Sequence, residues 1–386
     1  MLFAMKYNLH ILIAFQSLMF LLVLASPPFN KLRHNIYLVF FFLFQTLAQS
    51  SGILTSVSQF NSVTCTTSES SLPLFNFPSF PFSYLVIPFL YLYVLKVTDR
   101  SFRLKPLHAL HATPFVGVLS FIAFEFFTKG ITGLIAIAQY GSALYIRQEY
   151  YNFRVLLIAQ IYFYLLLCFR RLTYHNKYIT QVYSSIDEVD LNWLRFFLYF
   201  LGIWSLVDAL PLIVYRKNYA LYPYTYIFSS FVYLFVMTIV FIRSLSQREM
   251  IVPVPVQNER KYEKNQLSDN ERERYLKILL DYMESDKPYL KPEITIKDIS
   301  SGTNIQTHII SQILNTNLNQ NFYDFINSYR ISESQRLLTT KMERPRTIIE
   351  VLFESGFNSK STFNAAFKKH TGMTPSQFKE RGTIPA

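Results

Sequence analysis

Only two cysteines occur in 386 residues. That number excludes a disulfide scaffold, and no CxxC metal site is present. Charge is equally scarce. Asp, Glu, Lys and Arg make up 16% of the chain, against roughly 25% in an ordinary soluble protein. Catalytic signatures are missing as well: there is no Walker loop, GxSxG, HExxH or nucleophile–base pattern. The sequence therefore predicts no enzyme, no cofactor and no metal site. No repeat of solenoid period is found either. What the chain does have is apolar and aromatic: 51% hydrophobic letters, with 37 Phe and 27 Tyr. Mean hydropathy is +0.20. That composition excludes a disordered chain and argues against a wholly soluble one. The net charge of +12 points to anionic partners: lipid head groups, nucleic acid, or both.

The averages hide a split. Residues 1–257 hold 18 Lys+Arg and 9 Asp+Glu, while 258–386 hold 19 and 16 in half the length. A membrane part precedes a soluble part. Apolar runs near the bilayer-spanning length of about 20 residues fall at 9–26, 36–56, 82–98, 107–126, 153–170, 194–214 and 224–243. The stretch 131–146, punctuated by Gly133 and Gly141, reads as a loop helix or re-entrant piece rather than an eighth span. With the N-terminus outside, the inner segments carry nine Lys/Arg and the outer ones six. This bias fits the positive-inside rule. Cys65 then lies outside and Cys168 near the inner face, so the two do not pair. Residues 1–26 also fit a secretory signal, with Val23-Leu24-Ala25 at a cleavage site. Cleavage would leave six spans and put the C-terminus outside, which conflicts with the reading of the C-terminal part below.

Charges inside spans are functional candidates. Asp208 lies mid-span, three residues before Pro211, and Glu125 lies near an outer end. Both are candidate sensor residues. The competing reading is hydrogen bonding between helices. His108 and His111 sit near an inner end, and interface placement accounts for them without a metal.

The polar run QNERKYEKNQLSDN follows Pro253 and Pro255 and lacks apolar period. A linker is expected over 246–270, reaching on the order of 25–30 Å as a flexible coil. Ser268-Asp269-Asn270-Glu271 matches a capping box. A helix over 271–285 follows, with Leu276, Leu279, Leu280 and Met283 on one face and Lys287-Pro288 after its end. ITIKDISSGTNIQTHIISQILN then reads as short helix, turn and helix with a polar outer face, the helix-turn-helix pattern. A longer helix is expected over 321–341. RTIIEVLFESG, the turn Gly356-Phe357-Asn358 and SKSTFNAAFKKH repeat the pattern. Thr374-Pro375 opens a last short helix.

The run TIIEVLFESGFNSKSTFNAAFKKHTGMTPSQF resembles the second half of the AraC/XylS-type DNA-binding domain. NFYDFINSYRISESQRLL resembles its linker helix, and the 294–315 segment its first helix-turn-helix. The resemblance covers about 285–382. The whole chain resembles multi-pass membrane regulators of this kind, with YSSIDEVDLNWLR adding support. The resemblance implies two recognition helices in successive major-groove segments. By position, the base-facing residues are His308, Ser311, Gln312 and Asn315 in the first, and Lys360, Ser361, Thr362 and Ala365 in the second. Gln312 suits adenine, and Lys360 suits guanine O6/N7. Lys368 and Lys369 suit phosphates. Three positions depart from the family pattern: Ala365 replaces a basic residue, Thr303 an apolar one and Ile309 an aromatic one. Arg330 is expected as an internal salt-bridge partner, of Glu350 for example.

These readings combine into an all-α chain: a seven-helix transmembrane bundle over 1–245, the linker, and a DNA-binding domain over 271–386. The expected function is a membrane-tethered transcriptional regulator in the cell (inner) membrane, with its C-terminal domain in the cytoplasm. Its expected partners are double-stranded DNA, membrane lipid, an unknown signal ligand and a second copy of the chain. The alternative is a transporter or membrane enzyme with an auxiliary DNA-binding tail. Against it, only Gln45 and Gln160 accompany Asp208 deep in the spans, which is thin for an ion pathway.

Overall fold

Fourteen α-helices, with short 3₁₀ turns, make up the regular structure of the described residues. Residues 2–27, 29, 35–64, 80–99, 101–139, 148–187, 189–214, 222–245, 267–340, 344 and 346–383 are described by this computed structural model. The only strand-like pairing among them is an isolated bridge between Tyr183 and Thr295. The chain is all-α, as the sequence implies. It divides into two units. The first comprises Met1–Thr173 and Leu191–Pro253, the second Tyr174–Asp190 and Val254–Ala386.

Seven helices belong to the first part of the chain: α1 Leu2–Ala25, α2 Asn35–Thr64, α3 Ser83–Thr98, α4 Thr113–Gln139, α5 Gln148–Val182, α6 Asn192–Val214 and α7 Tyr222–Leu245. Each overlaps one of the seven apolar runs, and the start of the 107–126 run is a 3₁₀ turn, Pro106–Ala112, rather than part of α4. Helix α1 packs on α2 and α7, α2 on α3, and α6 on α7. Aromatic rings fill the contacts. Phe20 stacks on Phe241 at 4.0 Å and meets Phe42 edge-on at 5.3 Å. Polar cross-links sit within the apolar packing. Gln16 donates to the Leu234 carbonyl (2.9 Å) and Thr238 hydroxyl (2.7 Å). Gln160 donates to the Tyr84 carbonyl at 3.0 Å.

Helices α6 and α7 are apolar on both sides. On α6 the buried face is Leu194, Phe197, Leu198 and Leu201, while Phe196, Tyr199, Ile203 and Leu206 are exposed. On α7, Phe228, Phe231 and Phe235 are exposed opposite buried Val236, Met237 and Val240. A helix hydrophobic all round suits a core or a bilayer. Four helical stretches are long and apolar enough to cross a membrane: Phe80–Thr98, Pro106–Gly130, Asn152–Val182 and Ile227–Leu245. Ile11–Ala25, Asn35–Ser50 and Asn192–Val207 are shorter apolar stretches. Gly130, at φ 63° and ψ −150°, breaks α4. The part of 131–146 up to Gln139 thus continues α4 beyond a kink, and 140–146 lies outside the described residues.

The second unit contains α8 Asp269–Ser285, α9 Ile296–Thr303, α10 Thr307–Asn317, α11 Phe322–Thr339, α12 Ile348–Glu354, α13 Lys360–Thr371 and α14 Pro375–Thr383. Most of their starts are fixed by side chains that satisfy free backbone N–H groups, the start of α10 at Gln306 being the exception. The expected box at Ser268 and Glu271 opens α8. Thr295 with Asp298 and Thr347 with Glu350 form the same reciprocal pair at α9 and α12. Asn321 caps α11, and Ser359 caps α13. Most of the 246–270 linker, 246–266, lies outside the described residues.

Two glycines hold close approaches. Gly302 on α9 faces the Tyr282 ring so closely that a Cβ would overlap it. Gly356, between α12 and α13, has φ 89°, and a Cβ there would strike the Tyr289 carbonyl oxygen. Gly356→Ala is therefore expected to destabilise the C-terminal unit by about 2 kcal/mol or more. Thermal unfolding of the full chain in detergent, read by protease protection of residues 267–383, checks this.

Candidate nucleic-acid interface

Two helix-turn-helix units are present, α9–α10 and α12–α13, with α11 between them. In the first, Ile296, Ile299, Ile305, Ile310, Ile313 and Leu314 are buried. Asn304 takes the left-handed turn at φ 55°. Thr303, at a position where an apolar residue was expected, is accommodated by hydrogen bonds. Its hydroxyl donates to the Ile299 carbonyl (2.8 Å) and accepts from the Ile305 amide (3.3 Å). Ile309 is only half-buried. In the second unit, Phe357, Phe363 and Phe367 form an edge-to-face series with ring centroids 5.2 and 5.6 Å apart. Phe378 of α14 extends it at 5.4 Å.

Burial of one face turns the other outward. On α10, positions 308, 311, 312 and 315 follow helical spacing on a single face. His308 and Asn315 are exposed, and Ser311 and Gln312 half-buried. The Asn315 amide donates to the Ser311 carbonyl (2.8 Å), so it is turned back along its own helix. On α13, Lys360, Ser361, Ala365, Lys368 and Lys369 are exposed. Ser361 and Ser359 share a hydroxyl contact of 2.8 Å. Lys369 is paired with Asp324 of α11 at 2.6 Å. An exposed pair of that kind contributes about 0–1 kcal/mol, so a phosphate can compete for the ammonium. Lys368, Lys369 and His370 occupy the last turn of α13, where cations complement the helix dipole. The two helices thus differ in chemistry. Helix α10 offers neutral amide and hydroxyl groups with one imidazole, and α13 offers ammonium groups.

Thr362 stands apart from the other candidates. It is buried, and its hydroxyl hydrogen-bonds both carboxylate oxygens of Asp187, at 2.7 and 2.8 Å. Asp187 comes from the segment between α5 and α6. Nothing local in the sequence marks this partnership, because the two residues are 175 positions apart. Neighbouring Ser185 donates to the Asn358 side-chain oxygen at 3.0 Å.

Arg330 is buried, 1% exposed, and internal as expected, but Glu350 is not its partner. Glu350 serves the α12 cap and pairs with Arg344 at 3.5 Å. The guanidinium instead donates to the carbonyls of Tyr289 (2.8 Å), Lys291 (2.8 Å), Pro292 (2.9 Å) and Ser184 (3.3 Å), and to the Ser184 hydroxyl (3.2 Å). It lies 5.5 Å from the centre of the Phe357 ring. Burial pulls its pKa down to about 10, which leaves it charged at neutral pH.

Of the two sensor candidates, Glu125 is largely buried and bonded to Lys129 one turn on, at 2.7 Å. The Asp208 side chain lies outside the described residues. His111 is engaged by the Tyr164 hydroxyl at 2.7 Å, and the His108 ring by the Lys105 backbone amide at 2.8 Å.

Residues 299–381 match a family described as a helix-turn-helix domain. The chain is 34% identical over 62 residues to the probable transcription factor PqrA of Proteus vulgaris. The match covers 16% of this chain and 48% of that protein, so the chain spans about half the length of this curated relative. A solved structure of a protein of unknown function from Listeria innocua aligns at 23% identity with a TM-score of 0.24, covering 28% of this chain and 95% of the other.

Arg330→Met is expected to lower the stability of the C-terminal unit by about 3 kcal/mol or more, since it strands several buried carbonyls. Arg330→Lys should recover little, because one ammonium cannot reproduce the planar fork. Denaturant unfolding of the full chain in detergent, followed through the 267–383 region, reads both variants.

Proposed function

On the premise that the C-terminal region is an AraC-type helix-turn-helix DNA-binding domain, we propose that the full chain is a membrane-tethered, sequence-specific transcriptional regulator. The observation that carries this reading is the pair of helix-turn-helix units, each turning a polar or basic face outward over a closed apolar core. An α-helix fits the major groove, where each base pair has its own donor and acceptor pattern. In this reading α10 supplies base contacts through His308, Ser311, Gln312 and Asn315. Helix α13 supplies them through Lys360, Ser361, Thr362 and Ala365, while Lys368 and Lys369 hold phosphates.

Tethering rests on the seven apolar helices and on their exposed apolar faces. Side chains such as Phe235 and Phe127, 68% and 84% exposed, would form a large unsatisfied surface in water. A bilayer removes that cost. Seven spans with the N-terminus outside bring the DNA-binding domain to the cytoplasmic side, and the Lys/Arg bias agrees. The membrane part is the candidate receiver of a signal, with Asp208 and Glu125 as the residues to probe. A homodimer would raise the effective concentration of the second DNA-binding domain at paired half-sites.

The test is footprinting and affinity measurement with the full chain in lipid nanodiscs. Discrete protected sites are expected, with affinity falling steeply as salt rises. Lys368→Ala should weaken binding about equally across sequences and reduce the salt slope by about 1. Gln312→Ala should cost about 1–3 kcal/mol at one base position. Absence of any protected site at low salt contradicts the reading.

A further inference from the structure

The segment between α5 and α6 is built into the C-terminal unit at five points. Tyr183 bridges Thr295. The Ser184 amide donates to the Ile294 carbonyl at 3.2 Å. Arg330 grips both the carbonyl and the hydroxyl of Ser184. Ser185 donates to Asn358, and Asp187 accepts from Thr362. A tight turn, in which the Val189 and Asp190 amides donate to the Ile186 carbonyl (3.1 and 2.8 Å), presents Asp187 to the first turn of α13.

We propose that this segment is an intramolecular strap whose Asp187 carboxylate occupies the N-terminal turn of the second recognition helix, and that DNA must displace it. The inference rests on the DNA-binding reading above and adds its regulation. Thr362 has one hydroxyl proton, and it is committed to the carboxylate. A helix N-terminus favours an anion, so the carboxylate is stabilised there, and while it stays it holds Thr362 away from the bases and repels the approaching DNA phosphates. The strap has two parts of unequal strength. Ser184 is fully buried and held by a charged fork. Asp187 is exposed, its hydrogen bonds run to one hydroxyl, and the Tyr323 ring lies close enough to feel its charge. The buried part anchors and the exposed part exchanges. Because 183–190 is continuous with α5 and α6, a signal received by those helices has a covalent route to the exchanging contact.

The experiment uses the full chain in nanodiscs and a duplex selected from a random-sequence pool by the unaltered protein. Binding is measured by fluorescence anisotropy at fixed salt. Asp187→Ala is expected to tighten binding about tenfold or more, the equivalent of one lost hydrogen bond to a charged group. Asp187→Asn, which keeps an acceptor without the charge, should fall between. Equal affinity, or weaker binding with unchanged thermal stability, overturns the strap. Weaker binding would make Asp187 a positioning residue for Thr362. Hydrogen exchange on the unaltered protein does not depend on the variants folding. Adding the duplex should speed exchange at 185–190 and leave 183–184 protected, and no change at 185–190 overturns the proposal. If the unaltered chain selects no duplex, the DNA-binding reading fails first and the strap with it.

Discussion

A guanidinium shut away from water needs all its N–H groups engaged, and the C-terminal unit is organised around that requirement. Arg330 projects from the middle of α11, the helix between the two helix-turn-helix units. Its acceptors are the carbonyls ahead of the first unit and Ser184 from the segment between α5 and α6. Its face lies near Phe357 in the turn of the second unit. One side chain therefore ties four stretches of chain together. Burying a charge is costly unless it is paired or richly hydrogen-bonded, and here carbonyl dipoles stand where a carboxylate was expected. The close approach of Gly356 to Tyr289 belongs to the same arrangement, since Tyr289 is also an acceptor for Arg330.

The N-terminal part follows a different rule. In a soluble protein a helix divides into a buried apolar face and a wet polar one. Helices α6 and α7 are apolar on both, with aromatic rings inside and out. Specificity inside that packing comes from a few hydrogen bonds such as Gln16 to α7 and Gln160 to α3. A polar group left unpaired inside such apolar packing would be expensive.

Much of this architecture was legible in the residues. Long apolar runs and Ser/Thr caps are local signals, so the seven helices, the start of α8 and both helix-turn-helix units follow from spacing alone. The outward faces of α10 and α13 were legible for the same reason. What was not legible depends on contacts between residues far apart in sequence. Glu350 looked like a partner for Arg330 by charge, yet its own cap at Thr347 claims it three residues away. Thr362 looked like a plain base contact because Asp187 is distant in the chain. Lys369 was read as a phosphate contact, and its ion pair with Asp324 on another helix was not visible in the sequence. Pairing by charge type is a weak guide when backbone carbonyls compete as acceptors.

These features describe a chain in which a helix-turn-helix domain, joined to apolar helices, is held by a segment drawn from between two of them. The most direct measurement is genome-wide DNA occupancy of the intact chain, tagged at its C-terminus and recovered from the membrane fraction. The account expects a limited set of discrete sites sharing a two-part sequence. Uniform background across the genome, with the protein abundant in that fraction, would contradict it.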